Sequence, residues 1–156
     1  MRYEDIKQNF RDAAFDFFYK FSRFESALKE NGYWTTEKDN KRIKPDWNKF
    51  EKKFGNSYSI SFDAKRLVKE RPKYQVTDGH KVDWKAVGLD HCKDDSLTAV
   101  ITCLKAVRNN LFHGGKHGDL EHDDISRNIL LLTLGKGVLD ELAKEADFEA
   151  DYIRYY

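Results

Sequence analysis

Apolar side chains return every three or four positions along the first stretch of the chain. In YEDIKQNFRDAAFDFFYKFSRFESALKEN, residues 3–31, they fall at Ile6, Phe10, Ala14, Phe17, Phe21, Phe24 and Leu28. That spacing predicts one long helix with a continuous apolar face, which Phe18 and Ala27 widen. Gly32 supplies a C-terminal stop. The polar run TTEKDNKRIK then predicts a loop. Pro45 opens a shorter helix with Trp47, Phe50 and Phe54 on one side and Gly55 at its end. SISFDAKRLVKER predicts another short helix, stopped by Pro72. KYQVTDGHKVDWKAVG is the least regular stretch and predicts a loop with one helical turn near Trp84.

Two further strong helices follow. The first spans roughly Asp94 to His113, with Leu97, Val100, Ile101, Leu104, Val107 and Leu111 on its apolar face. Asp94 or Asp95 is its expected N-cap, and Gly114–Gly115 end it. The second runs from about Asp119 to Ala146. Its acidic first turn (Asp119, Glu121, Asp123, Asp124) suits the positive end of a helix dipole, and Ile125, Ile129, Leu132, Val138, Leu139 and Leu142 supply its core side. Gly135 and Gly137 interrupt its middle and mark close packing or a bend. With no repeat and no convincing strand pairing, the expectation is an all-α fold. It is a single helical domain over residues 1–156, with three long helices and shorter ones in an insertion after the first.

Composition agrees with a packed core. Hydrophobic residues make up 40% of the 156 and aromatics 14%, enough for one domain to bury about two-thirds of its unfolded surface. No apolar run approaches membrane-span length, and MRYEDIKQNF has no signal-peptide core, so a cytoplasmic protein without membrane contact is expected. Cys92 and Cys103 point neither to a disulfide framework nor to zinc; Cys103 falls near the core face as a small buried residue. Net charge is close to zero but unevenly spread. Residues 38–73 carry twelve Lys or Arg against five acids, and residues 119–151 carry ten acids against three bases. The basic middle is either a polyanion-binding surface or a pair of solvated helix faces balanced by the acidic segment.

The chemistry concentrates in VRNNLFHGGK, where an apolar helix runs out into a glycine-rich loop. On a helix Asn109 and His113 lie four residues apart and project from nearly the same side. Arg108 points about 100° away, with a side chain long enough to swing along the helix end. Open carbonyls in the last turn favour a protonated His113. An arginine, a histidine and flanking amides make a set able to bind a phosphodiester and move protons beside it. The same residues also read as a helix C-terminus decorated with favourable cations and closed by glycine.

RNNLFH also resembles the R-N-x-x-x-H form of the Arg-x4–6-His motif of the HEPN superfamily, small all-helical proteins that carry it near the end of a core helix. Arg108, Asn109 and His113 fit its three places. The first helix, FFYKFSRFESALKENGY, is similar to the opening helix of HEPN families of prokaryotic defence or mobile elements. The resemblance implies a metal-independent endoribonuclease with no cofactor. Two protomers face their motifs across a cleft as a homodimer with a composite site. RNA supplies its own 2′-OH nucleophile, so His113 would transfer protons, Arg108 would hold the non-bridging phosphate oxygens, and Asn109 would orient His113 or donate to the phosphate. The expected products are a 2′,3′-cyclic phosphate and a 5′-hydroxyl. A branch of HEPN toxins carries a tyrosine two residues after the histidine, where a partner enzyme modifies it. Gly115 stands there in this chain, which argues against that mode of neutralisation. An antitoxin or other regulatory protein remains an expected partner.

Glu25 and Arg23, in FSRFES, are the candidates for orienting the motif, with Glu25 pairing either with Arg108 or with Lys29 four residues along its own helix. Lys49, Lys52, Lys53, Lys65 and Arg66, in the basic segment, are the candidates for holding RNA backbone. His113, His117 and His122 match no standard zinc spacing, so no metal is expected, and His80 and His91 read as surface residues. Two rival functions stand beside the nuclease. One is a non-catalytic HEPN-type module binding a nucleotide, RNA or protein. The other is a structural adaptor docking through its acidic helix and the aromatic tail DYIRYY.

Overall fold

The computed structural model describes residues 7–36, 41–77, 79–113 and 125–154. Three long helices form the frame: α1 (Gln8–Glu30), α4 (Leu97–His113) and α5 (Ile125–Glu145). Between α1 and α4 lie a hairpin of β1 (Trp34–Thr36) and β2 (Ile43–Pro45), short helices α2 (Trp47–Phe54) and α3 (Phe62–Glu70), and a second hairpin of β3 (Lys73–Thr77) and β4 (Val82–Ala86). A short α6 (Glu149–Tyr152) closes the described chain. The domain is therefore mostly helical but not purely all-α.

Both antiparallel hairpins depart from the expectation of a strand-free chain. Trp34 pairs with Pro45 and Thr36 with Ile43 in the first; Lys73 pairs with Ala86 and Thr77 with Val82 in the second. The second occupies the stretch expected to be a loop with a helical turn at Trp84. It turns through Gly79 at φ +95°, a conformation glycine adopts without penalty. Pro45 ends a strand instead of opening a helix, tolerated because a two-stranded ribbon is all edge. The start of α2 is set by Asp46, whose carboxylate accepts from the backbone N–H of Asn48 and Lys49 at 3.1 Å each. Likewise α4 is capped by Ser96, which accepts from Ala99 N–H at 3.2 Å, and not by Asp94 or Asp95. Asp94 instead faces Arg71 at 3.2 Å. The acidic turn expected at 119–124 lies outside the described residues.

The core forms where α1 packs on α5, with α3 and α4 closing the sides. Phe17, Phe24 and Leu28 of α1 are fully buried, as are Val100 and Leu104 of α4 and Val138 and Leu139 of α5. Most of the expected apolar faces become core; Phe10, Ala14, Leu111, Ile125 and Ile129 are half-buried, Phe18 stays 43% exposed, and Ile6 lies outside the described residues. Gly135 marks a close approach: a Cβ there would lie 2.6 Å from Cε2 of Phe17. Around Phe24 an aromatic cluster gathers Trp47 at 5.1 Å between ring centroids, Phe50 at 5.5 Å and Tyr152 at 6.3 Å. Each fully buried ring contributes about 1.5–3 kcal/mol through removal from water. Cys103 is fully buried, and burial pushes its thiol up to about 12, so it stays protonated and inert.

A polar network ties the end of the chain to this core. The Tyr152 hydroxyl donates to Asp140 at 2.7 Å, and Lys136 and Lys20 approach the same carboxylate at 2.8 and 3.2 Å. Burial alone would raise the Asp140 pKa. The hydrogen bonds from Lys136, Tyr152 and Lys20 outweigh it and hold the carboxyl below its ordinary value. Tyr152, one ring of the expected docking tail, is thereby built into the protein's own interior.

Candidate functional site at the end of α4

The last two turns of α4 bring Lys105, Arg108, Asn109 and Phe112 along one side, at spacings of three and four residues. Opposite them run the exposed ridge of α1 and the end of β2. Arg108 turns toward α1, where its Nη2 lies 3.8 Å from Oε1 of Glu25. Glu25 is itself steadied by Trp47, whose indole N–H donates to the same oxygen at 3.1 Å. Of the two expected partners for Glu25, the structure selects Arg108 over Lys29. Arg108 also donates from Nη1 to Oδ1 of Asn109 at 2.9 Å, and its guanidinium stands 5.5 Å from the Phe21 ring centroid and 5.9 Å from that of Phe112. A half-exposed ion pair contributes only about 0–1 kcal/mol to stability. Its consequence is geometric, because a carboxylate, an amide and two ring faces together define where the guanidinium sits.

Two hollows open on either side of this pair, and both include Glu25 and Arg108 in their walls. One, of about 400 Å³, is aromatic, lined also by Phe18, Phe21, Ser22 and Phe112. The other, of about 320 Å³, is cationic: Lys44, Lys105 and Asn109 join Arg108, over a wall of Pro45 and Trp47. Each is within the ~300–1,000 Å³ range of small-molecule sites. Lys105 is half-buried, its ammonium 5.7 Å from the Trp47 ring centroid. Burial lowers its pKa; the carboxylates of Glu51 and Glu25 pull the other way, and Arg108 adds to the lowering. An anion entering this hollow would offset the loss of hydration that burial imposes on the ammonium.

The remaining expected site residues are dispersed. Asn109 has its carbonyl oxygen engaged by Arg108, leaving its amide N–H groups for a ligand. His113 is the last residue of α4, and its side chain lies outside the described residues, as do His117 and His122 of the weighed metal set. Arg23 does not join the cluster. It is buried on another side of α1, donating from Nε to the Tyr152 carbonyl at 3.3 Å and from Nη2 to that of Asp151. It positions the end of the chain and not the motif. Lys49 donates to the Trp34 carbonyl at 2.8 Å, while Lys52 and Lys53 on α2, and Lys65 and Arg66 on α3, are exposed. None of these five lines either hollow.

No protein-family model, no curated protein and no solved structure matches this chain. The site is therefore defined by its own geometry. Sequence reading missed Lys105, Lys44 and the aromatic pair Phe18 and Phe112. Lys105 had a legible signal, since it precedes Arg108 by three residues and Asn109 by four on a recognised helix. Phe18 and Phe112 had none: Phe18 read as core and Phe112 drew no reading, until the packing of α1 on α4 left both rings outside. Asn110 is accounted for differently, as its side-chain amide donates to the Lys73 carbonyl at 2.6 Å and pins the β3–β4 hairpin beside the end of α4.

Proposed function

We propose that the protein is a metal-independent endoribonuclease of HEPN type, acting on RNA through Arg108, Asn109 and His113 from two copies of the chain. The observation that carries this reading is the fixed Arg108: a guanidinium oriented by Glu25 and Asn109, at the mouth of a cationic hollow, on the helix that ends at His113 about 1.4 turns later. Arg108 and Lys105 hold the non-bridging oxygens of the scissile phosphate and stabilise the charge that grows on them. His113 of one copy takes the proton from the 2′-OH as its oxygen attacks phosphorus. The bond to the 5′-oxygen breaks, and that oxygen collects a proton from His113 of the other copy. The products are a 2′,3′-cyclic phosphate and a 5′-hydroxyl.

The test is cleavage of a labelled RNA in EDTA by the wild type beside Arg108→Ala and His113→Ala, with fold and mass verified. Only the wild type is expected to cut, leaving cyclic phosphate ends. Activity that needs added Mg²⁺, or that survives in His113→Ala, refutes the mechanism. A second reading, a non-catalytic nucleotide- or RNA-binding module, draws on the makeup of the hollows. Cations, amides and aromatic rings suffice to hold a nucleotide without cleaving it. Undiminished RNA binding with no cleavage by any variant would favour it.

A further inference from the structure

We infer that the paired hollows form a subsite for one unpaired nucleotide, its base held in the corner between Phe18 and Phe112 and its phosphate on Arg108, Lys105 and Lys44. The inference rests on the proposed reading for the ligand being RNA. Three observations carry it. First, Phe18 and Phe112 are 43% and 55% exposed, and their rings meet at 5.5 Å and 66°, so one presents a face beside the other's edge. Two large rings from separate helices, in contact edge to face and left open to water next to a guanidinium, present an open corner on which a flat π-system can stack. Second, the guanidinium of Arg108 belongs to both hollows, so a group stacked in the aromatic corner is covalently within reach of an anion on the cationic side. Third, the cationic hollow carries three positive side chains against the single carboxylate of Glu25 in its lining, a surplus that suits a phosphate.

A nucleotide unites these demands in one ligand: a planar base joined by a sugar to a phosphodiester. A base can reach the aromatic corner only when it is unpaired and splayed from its neighbours, which makes loops and single strands the substrate class and excludes continuous duplex. Glu25 accepts hydrogen bonds and donates none, so it adds an acceptor beside the corner for base N–H groups. A flat ring and an anion joined in one ligand meet both hollows at once, and a second copy of the chain as occupant is an outcome the test reads through self-association.

The experiment compares guanosine 3′-monophosphate with ribose 5-phosphate, which lacks a base, by titration calorimetry on the full chain. The wild type should prefer the nucleotide by about ten-fold, the size of a single stacking contact. Phe112→Ala, at an exposed position, should erase that preference, Phe112→Trp should retain it, and Lys105→Gln should weaken both ligands. In parallel, a hairpin RNA should be cut in its loop and not in its stem. Equal affinity for the two ligands overturns the subsite, as does a Phe112→Ala variant that keeps the preference. So does a Phe112→Ala variant whose only change is in self-association, which would make the corner a contact between copies. Loop cleavage with no nucleotide preference would sink the subsite and spare the nuclease. A Phe112-dependent preference without cleavage would do the reverse.

Discussion

Gly135 and Gly137 stand two residues apart on α5, and the same substitution at each should change stability in opposite directions. Alanine is favoured over glycine in a helix interior by about 1 kcal/mol, so both variants begin with that gain. At Gly135 the new Cβ would sit 2.6 Å from Cε2 and 3.0 Å from Cδ2 of Phe17, roughly 1 Å inside normal carbon contact. Phe17 is fully buried with Phe21 at 5.7 Å on its flank, and Leu104 also crowds the Gly135 position at 3.6 Å, so the ring has no free space to yield. Forcing a methyl into such packing costs about 1–3 kcal/mol. Gly135→Ala should therefore lose about 1 kcal/mol net and lower Tm by about 2–4 °C. At Gly137 the Cβ would meet the Asp63 side chain, most closely its terminal Oδ2 at 2.5 Å with Cγ at 3.5 Å, a half-buried carboxylate in the first turn of α3. Rotating that carboxylate costs little, so Gly137→Ala should keep most of the helix gain and raise Tm by a similar amount. Calorimetry and urea unfolding of both variants decide the matter. A Gly135→Ala protein as stable as wild type would show that α1 and α5 are not in the close contact described. A Gly137→Ala protein as unstable as Gly135→Ala would show that Asp63 is locked.

Acid should expose the Asp140 network. Its carboxyl is held below the ordinary value, so the stability it contributes is present above about pH 4 and is lost as pH falls through its folded pKa. Asp140→Asn should be less stable than wild type at pH 7, with the gap narrowing toward pH 3 in urea titrations; a gap independent of pH contradicts the linkage. Charge reversal at Lys52 and Lys53 should weaken RNA binding across sequences and flatten its salt dependence, by about 0.7 in log–log slope for each lost contact with a single-strand phosphate. Reversal at Lys44, which lines the cationic hollow, should weaken binding more. Filter binding at several salt concentrations measures both, and equal affinity for all variants would return these lysines to plain solvated surface.

The three long helices were legible in the chain because helical periodicity is a local property: each apolar face repeats within a single element, whatever that element packs against. The second hairpin was not, although Asp78–Gly79 between Tyr74, Val76, Val82 and Trp84 is a recognisable turn signal. Each strand does alternate, Tyr74 and Val76 in one and Val82, Trp84 and Ala86 in the other, but the register pairs Val76 with Asp83 and Trp84 with Gln75, so the two apolar sets share no face that a core could cover. The same limit applies to function. Arg108, Asn109 and His113 could be singled out because they share a few turns of one helix. Which carboxylate Arg108 meets, whether Arg23 faces the motif or the chain's end, and which phenylalanines of an apolar stripe stay outside the core all depend on how α1 lies against α4 and α5. The sequence by itself determined the helices and the motif that ends α4. Only the tertiary structure decided the site, because Glu25, Lys44, Phe18 and Lys105 come from elements far apart in the chain and meet through packing alone.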